Sequence, residues 1–188
     1  MKNVVGIGNA GGFVEPLQAS SIGTICMAAQ NLTELLLDGD MVIRDCEKSL
    51  FNQRVAQQWD DIRRFLALHF KINNRIDTPF WREAVNKTDL AGCEPIVDYY
   101  QQCGPTPIWE NSFIHKTDPF GAEGYLSLLV GAQVPYNRTY VPTERDRQIW
   151  QTIRQHISRA ADGGFSTADV LAGMRSGQWM FSPHAQMS

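Results

Sequence analysis

Apolar residues recur three or four apart in several stretches of this chain. Phe51, Val55, Trp59, Ile62 and Leu66 mark one face of the segment from Glu47 to Phe70, while Arg54, Gln58, Asp61 and Arg63 fill much of the other side. That spacing predicts a long amphipathic helix. Ile22, Ile25, Ala29, Leu32 and Leu36 repeat the rhythm from Ser21 to Leu37, with Ser20 or Ser21 placed to cap the start and Asp-Gly-Asp at 38–40 placed to end it. A further helix is predicted after Thr143, where Asp146 completes a capping-box arrangement and Ile149, Ile153 and Ile157 share a face. Shorter helices are expected over 94–102, opened by Pro95, and after Ser166. Asn73, Asn74 and Pro79 predict a break running into IDTPFWRE. GPTP at 104–107 predicts a second break, and DPFGAEG at 118–124 a loop before the apolar run Tyr125–Val130. The tail GQWMFSPHAQMS is expected to fray.

The N-terminus departs from this helical rhythm. Val4 to Ile7 is a short apolar run closed by Gly8, the signature of a parallel strand buried on both faces. Asn9 to Leu17, with Gly11, Gly12 and Pro16, then reads as a loop leading into the first helix. A parallel strand needs ladder partners on both sides, so a chain with one or two strands is expected to dock on, or belong to, something larger. Its exposed strand edge and apolar helix faces predict association in isolation.

Composition narrows the picture modestly. The 188 residues are 43% hydrophobic, enough for a core, and 17 Lys and Arg against 20 Asp and Glu leave a net charge of -3. No basic run supports a nucleic-acid or anionic-membrane partner. Cys26, Cys46, Cys93 and Cys103 show neither CxxC spacing nor an adjacent His, so reduced thiols and no metal site are expected. The start has no signal-peptide core and no run nears the roughly 20 apolar residues of a span, which makes the cytoplasm the expected location.

The N-terminal loop carries the chemistry. Glycines between a strand and a helix let a ligand approach the backbone, and the free N–H groups near Ser20, Ser21 and Ile22 favour negative charge. From spacing alone, an ordinary glycine-bearing turn of an α/β core is an equally good reading.

The residues themselves add a resemblance. Gly8-Asn9-Ala10, then Gly12-Phe13-x-Glu15-Pro16-Leu17, then two small residues opening a helix, resembles the late flavin-binding motif of flavin-dependent tryptophan halogenases. That motif is a variant of the Gly-Asp-Ala motif of flavoprotein monooxygenases. FNQRVAQQWDDIRRFLALHF resembles the family's long helix, IDTPFWRE its Asp-Thr-Pro-Phe-Trp-Arg signature, and GYLSLLVGAQVP the run before its C-terminal helices. The fold implied is mainly α with one or two N-terminal strands, the C-terminal fragment of an α/β FAD-binding fold. Residues 1–40 would close the FAD-binding domain, 41–160 form a helical substrate-side domain, and 161–188 a C-terminal helix and tail. An upstream βαβ unit cradling the FAD pyrophosphate, a catalytic Lys and a Trp-x-Trp-x-Ile-Pro segment are implied outside this chain, which is therefore expected to bind FAD weakly and to be inactive alone.

The resemblance also implies roles. FAD, reduced by a separate flavin reductase, reacts with oxygen and a halide ion to give hypohalous acid, which attacks a small aromatic, indole-type substrate. Gln18 stands where the family carries its catalytic Glu; an amide can orient a species but offers no carboxylate. Backbone amides of Ser20 and Ser21 would bind halide. Asn9, Ala10, Gly11, Gly12 and Phe13 would lie along the flavin and Ile22 at its edge. Trp109, Phe113, Phe120 and Tyr125 fall on the substrate side, Phe120 nearest the stacking position. Glu15 is expected to accept from loop amides, Phe80 and Trp81 to pack in the core, and Arg82 and Asp77 to pin their loop. His69, His115, His156 and His184 are expected to be packing or surface residues. A monooxygenase-like enzyme and a non-catalytic interaction module are the alternatives.

Overall fold

The computed structural model describes residues 4–14, 17–138 and 141–176. Met1–Thr139 and Tyr140–Ser188 form two compact units. In the first, a 3-10 turn at Gly8–Ala10 precedes α1 (Ser21–Asp38), α2 (Asp45–Lys71), α3 (Pro79–Lys87), α4 (Glu94–Cys103), a 3-10 turn at Pro107–Trp109, α5 (Glu110–Phe113) and α6 (Gly121–Gly131). The second holds α7 (Glu144–Asp162) and α8 (Thr167–Arg175). The expected roles of Glu15 and His184 and the fraying of the tail lie outside the described residues.

The expected N-terminal strands are absent among the described residues. Val4 to Ile7 is irregular, and although Ile7 has extended dihedrals, no neighbouring segment pairs with it. An apolar run of four residues is not enough: a strand exists only through its ladder, and every other described element is helical. The fold class is corrected to all-helical over these residues.

α2 is the spine of the first unit, with α1, α3 and α6 packed against it. Its start is closed by Glu47, whose carboxylate accepts from the Arg44 backbone N–H at 2.6 Å. Phe51, Ile62 and Leu66 are buried as the helical pattern predicts, Val55 and Trp59 are half-buried, and Phe65 and Leu68, outside that pattern, are buried as well. Gln58 and Asp61, expected on the polar side, are buried too, because a helix packed on several sides has little outer face. Phe65 and Leu68 join Cys93, Ile96 and Tyr100 around α4, and Trp109, Ile114, Ala122, Tyr125 and Leu129, in one apolar cluster. Each large aliphatic side chain removed from water there contributes about 1.5–3 kcal/mol.

Two segments read as loops are helical. Pro79 does not break a helix but starts α3: Thr78 caps it, its hydroxyl accepting from the Trp81 N–H, and Pro in the first turn lacks only a donor that would have no partner. Arg82 and Asp77 do pair across that start, with a second contact at 2.9 Å. Phe80 is exposed rather than in the core, while Trp81 stacks on Phe70 with centroids 5.6 Å apart. In DPFGAEG, Asp118 accepts from the Phe120 and Gly121 N–H groups at 2.9 and 3.3 Å, so α6 already begins at Gly121.

In the second unit, Thr143 and Asp146 exchange the capping bonds expected from their spacing, and Ser166 caps α8 through the Asp169 N–H. Ile149, Ile153 and Ile157 of α7 are exposed. No described helix is long and apolar enough to cross a membrane.

Candidate functional site

The glycines near the N-terminus are required first by their own packing. Gly11 and Gly12 both donate to the Gly8 carbonyl, at 2.8 and 3.0 Å. A Cβ on Gly11 would meet the Gly6 carbonyl oxygen at 2.8 Å, and one on Gly12 would meet the Trp59 indole at 2.9 Å. Gly8 sits at φ +63, in the left-handed region that favours glycine. Gly6, Gly8 and Gly11 do fall at GxGxxG spacing, against the expectation that the chain carries no such motif. Yet the dinucleotide fingerprint needs a helix opening at the third glycine, and α1 starts only at Ser21. A phosphate cradle is therefore not what this turn builds. Asn9, Ala10 and Gly11 are instead exposed small residues, with Phe13 and Ile22 57% and 74% exposed. A surface of small residues bordered by open apolar side chains suits the edge of a flat ring system, and in that respect these residues fit a flavin.

Gln18 lies between this turn and α1 and is half-buried. Its side-chain Nε2 is 2.5 Å from Nε2 of His69, in the last turn of α2 and 51 residues away. His69 was expected to be a packing or surface residue; its position four residues after Phe65, on one stripe of α2, was the available signal for more. Ala19 follows with φ 48, a left-handed conformation that costs a non-glycine residue about 1–2 kcal/mol. Ser20 precedes α1 without a side-chain capping bond, and the first turn holds no acidic residue. The Ser21, Ile22 and Gly23 N–H groups thus have no intrahelical acceptor, leaving the partial positive charge of the helix end open to an anion. Ala19→Gly will relieve the backbone and raise stability by about 1 kcal/mol, read as a higher denaturation midpoint with unchanged slope.

His69 leads from Gln18 to the aromatic residues expected on the substrate side. Its ring meets Phe65 edge-on at 6.0 Å; Phe65 in turn stacks on Phe120 at 3.8 Å and meets Tyr125 edge-on at 5.1 Å. Gly124 makes this possible, since a Cβ there would lie 3.0 Å from Phe120 and 3.3 Å from Phe65. The four candidate aromatics differ in access. Trp109 and Tyr125 are fully buried, whereas Phe120 and Phe113 are only partly covered, Phe113 lying edge-on to Tyr99. The Trp109 indole N–H is buried without a hydrogen-bond partner.

Behind Phe65 lies a buried ion cluster that the sequence reading missed entirely. Arg64 Nη2 donates to Asp61 and to Asp118, each at 3.1 Å, and its Nε donates to the Tyr125 hydroxyl at 3.3 Å. The Tyr125 hydroxyl donates to Asp118 at 3.1 Å. Two carboxylates share one guanidinium, and Asp61 Oδ2 has no partner. Burial holds the Asp61 carboxyl above its ordinary value, opposed by the Gln57 hydrogen bond and helped by the nearby Asp118 charge. Burial likewise pushes the Cys93 thiol up to about 12, making it inert at neutral pH. An acid with a raised folded-state pKa contributes stability below its unfolded value and loses it as pH rises through the folded one. Asp61→Asn will therefore gain stability relative to the parent chain as pH rises above the ordinary aspartate range, measured as the difference in melting temperature at each pH.

The site thus combines a tight glycine turn, an uncapped helix start, a half-buried amide and an aromatic wall in one helical unit. The profile of the family described as tryptophan halogenase matches residues 1–146, and the chain belongs to that family. The 7-chloro-L-tryptophan 6-halogenase of Kutzneria sp. (strain 744) is 25% identical over 178 residues, covering 92% of this chain and 34% of the relative. The tryptophan 6-halogenase of Streptomyces albogriseolus is 37% identical over 86 residues, 44% of this chain and 15% of the relative. Among solved structures, the tryptophan 5-halogenase MibH superposes with a TM-score of 0.63 at 33% identity, over 78% of this chain and 28% of its own. The chain therefore spans well under two thirds of the length of each.

Proposed function

We propose that this chain supplies the halide and aromatic-substrate side of an FAD-dependent, halogenase-like oxidoreductase, and that it is inactive alone. The observation that carries this reading is the run of contacts from Gln18 through His69 and Phe65 to Phe120, which ties the motif loop to the aromatic wall in a chain of this family. Molecular oxygen, activated by bound FAD that a separate flavin reductase has reduced, would supply the oxidising equivalents that turn halide into hypohalous acid. Asn9 to Phe13 and Ile22 would border the flavin, and the Ser20 and Ser21 amides would hold the halide at the open helix end. Phe120, with Phe113, would hold an indole-type ring, while Trp109 and Tyr125 support that wall from behind. Gln18 would orient the halogenating species by hydrogen bonds. It cannot take up a proton from the substituted ring as a carboxylate can.

That missing charge favours a second reading, a monooxygenase-like enzyme that keeps the flavin and drops the halide. The test co-expresses this chain with a polypeptide carrying the flavin-binding portion of a tryptophan halogenase, then supplies FAD, a flavin reductase with its reduced nicotinamide, oxygen, bromide or chloride, and indole. Haloindole that requires both polypeptides is the expected product, and more of it from Gln18→Glu would place position 18 at the chemistry. Hydroxylated product, with no halogenation even from the Glu variant, would establish the monooxygenase reading. No flavin retention and no product would leave a non-catalytic module.

A further inference from the structure

We propose that His69 is a positioning residue for Gln18, holding the amide in one orientation by accepting its N–H at an unprotonated Nε2. The inference rests on the reading that Gln18 serves the site, but the contact itself can be tested without flavin, halide or substrate. Both facing atoms are nitrogens, Nε2 of the amide and Nε2 of the ring. An amide nitrogen only donates, so the ring nitrogen must accept, which requires a neutral imidazole with its proton on Nδ1. With one amide hydrogen committed to His69, rotation of the amide is blocked, and the carbonyl Oε1 is set on the side away from the ring.

His69 is itself held in place. It belongs to the last turn of α2, and its ring is set edge-on against Phe65, which is buried and locked between Phe120 and Tyr125. The orientation of a half-buried loop side chain is thereby fixed by the core of the unit. The pair also has a polarity. A carboxylate at position 18 has no proton to donate, so it would demand that His69 Nε2 carry one instead. Position 18 and His69 are matched as amide with acceptor, and changing residue 18 alone inverts the demand on the ring.

The experiment uses the full chain labelled with 15N-histidine. Only four histidines contribute, and the His69 signals are those lost in His69→Asn. Long-range nitrogen–proton spectra at pH 8 are expected to show His69 with protonated Nδ1 and bare Nε2. Gln18→Glu is expected to move the proton to Nε2, or to give an imidazolium. The Gln18 side-chain amide signals are expected to shift in His69→Ala and to return toward their original positions in His69→Asn, whose carbonyl can accept the same hydrogen. Melting curves on each variant show which are folded, and Gln18→Glu, a change in the half-buried loop rather than in α2, serves where a His69 variant is not. A protonated Nε2 in the parent chain, or His69 signals unmoved by Gln18→Glu, would overturn the proposal while leaving the halogenase reading intact. Failure of halogenation with the expected tautomer present would do the reverse.

Discussion

Arg64→Met is expected to destabilise the Met1–Thr139 unit by about 3–5 kcal/mol, the cost of stranding buried charge. The methionine replaces most of the lost volume, so the effect is electrostatic and hydrogen-bonding rather than a cavity. Arg64 donates to Asp61, to Asp118, to the Tyr125 hydroxyl and to the Phe113 carbonyl, the last at 3.4 Å. Without it two carboxylates face each other in the interior with no cation. Asp118 also accepts from the first N–H groups of α6, so a carboxylate that moves or protonates loosens the start of that helix. The check is chemical denaturation of Arg64→Met beside the triple variant Arg64→Met, Asp61→Asn, Asp118→Asn. If stranded charge is the cause, the triple variant recovers part of the loss; if it is no more stable than the single one, lost packing is the cause.

The pattern of apolar positions is a local signal, and what it revealed was local. α1, α2 and α7 were legible because each presents a stripe of its own, and α7 also carries the capping box that its spacing predicts. Val4 to Ile7 misled because four apolar residues look alike in a strand, a turn or a loop, and only a partner segment makes the difference. α3 was hidden by Pro79, whose meaning depends on whether it stands inside a helix or just after a cap such as Thr78. α6 was half hidden by Gly121 and Gly124: glycine lowers helix propensity, yet burial of Ala122, Tyr125 and Leu129 outweighs that penalty.

The candidate site divides the same way. The motif residues Asn9 to Ser21 are contiguous, so a resemblance could point to them. Their neighbours are not: His69 is 51 residues from Gln18, Asp118 is 54 from Arg64, and Tyr125 is 61 from Arg64. Asp61 also sat on the side of the helix that the pattern assigned to solvent, and Arg64 had no place in that pattern. An ion cluster enclosed by four elements leaves no periodic trace, because its charged members look like an ordinary wet face until something packs over them.

Phe65 is where these distant pieces meet, and Phe65→Ala is expected to cost about 3–5 kcal/mol, the range for deleting a buried aromatic ring. The ring stacks on Phe120, meets Tyr125 edge-on and backs His69, so its removal opens a void that three aromatic neighbours border. Stability alone would not separate the ring's packing from its role in the site. Phe65→Leu keeps most of the volume, and a double-mutant cycle with Phe120→Leu isolates the stack: a coupling of about 0.5–1.5 kcal/mol is expected, and a value near zero would mean that the two rings only fill space. The same variant carries a second expectation. If Phe65 holds His69 against Gln18, Phe65→Leu shifts the His69 ring nitrogens and the Gln18 amide together while the chain remains folded. Movement of one without the other would mean that the loop and the aromatic wall are neighbours rather than a linked unit.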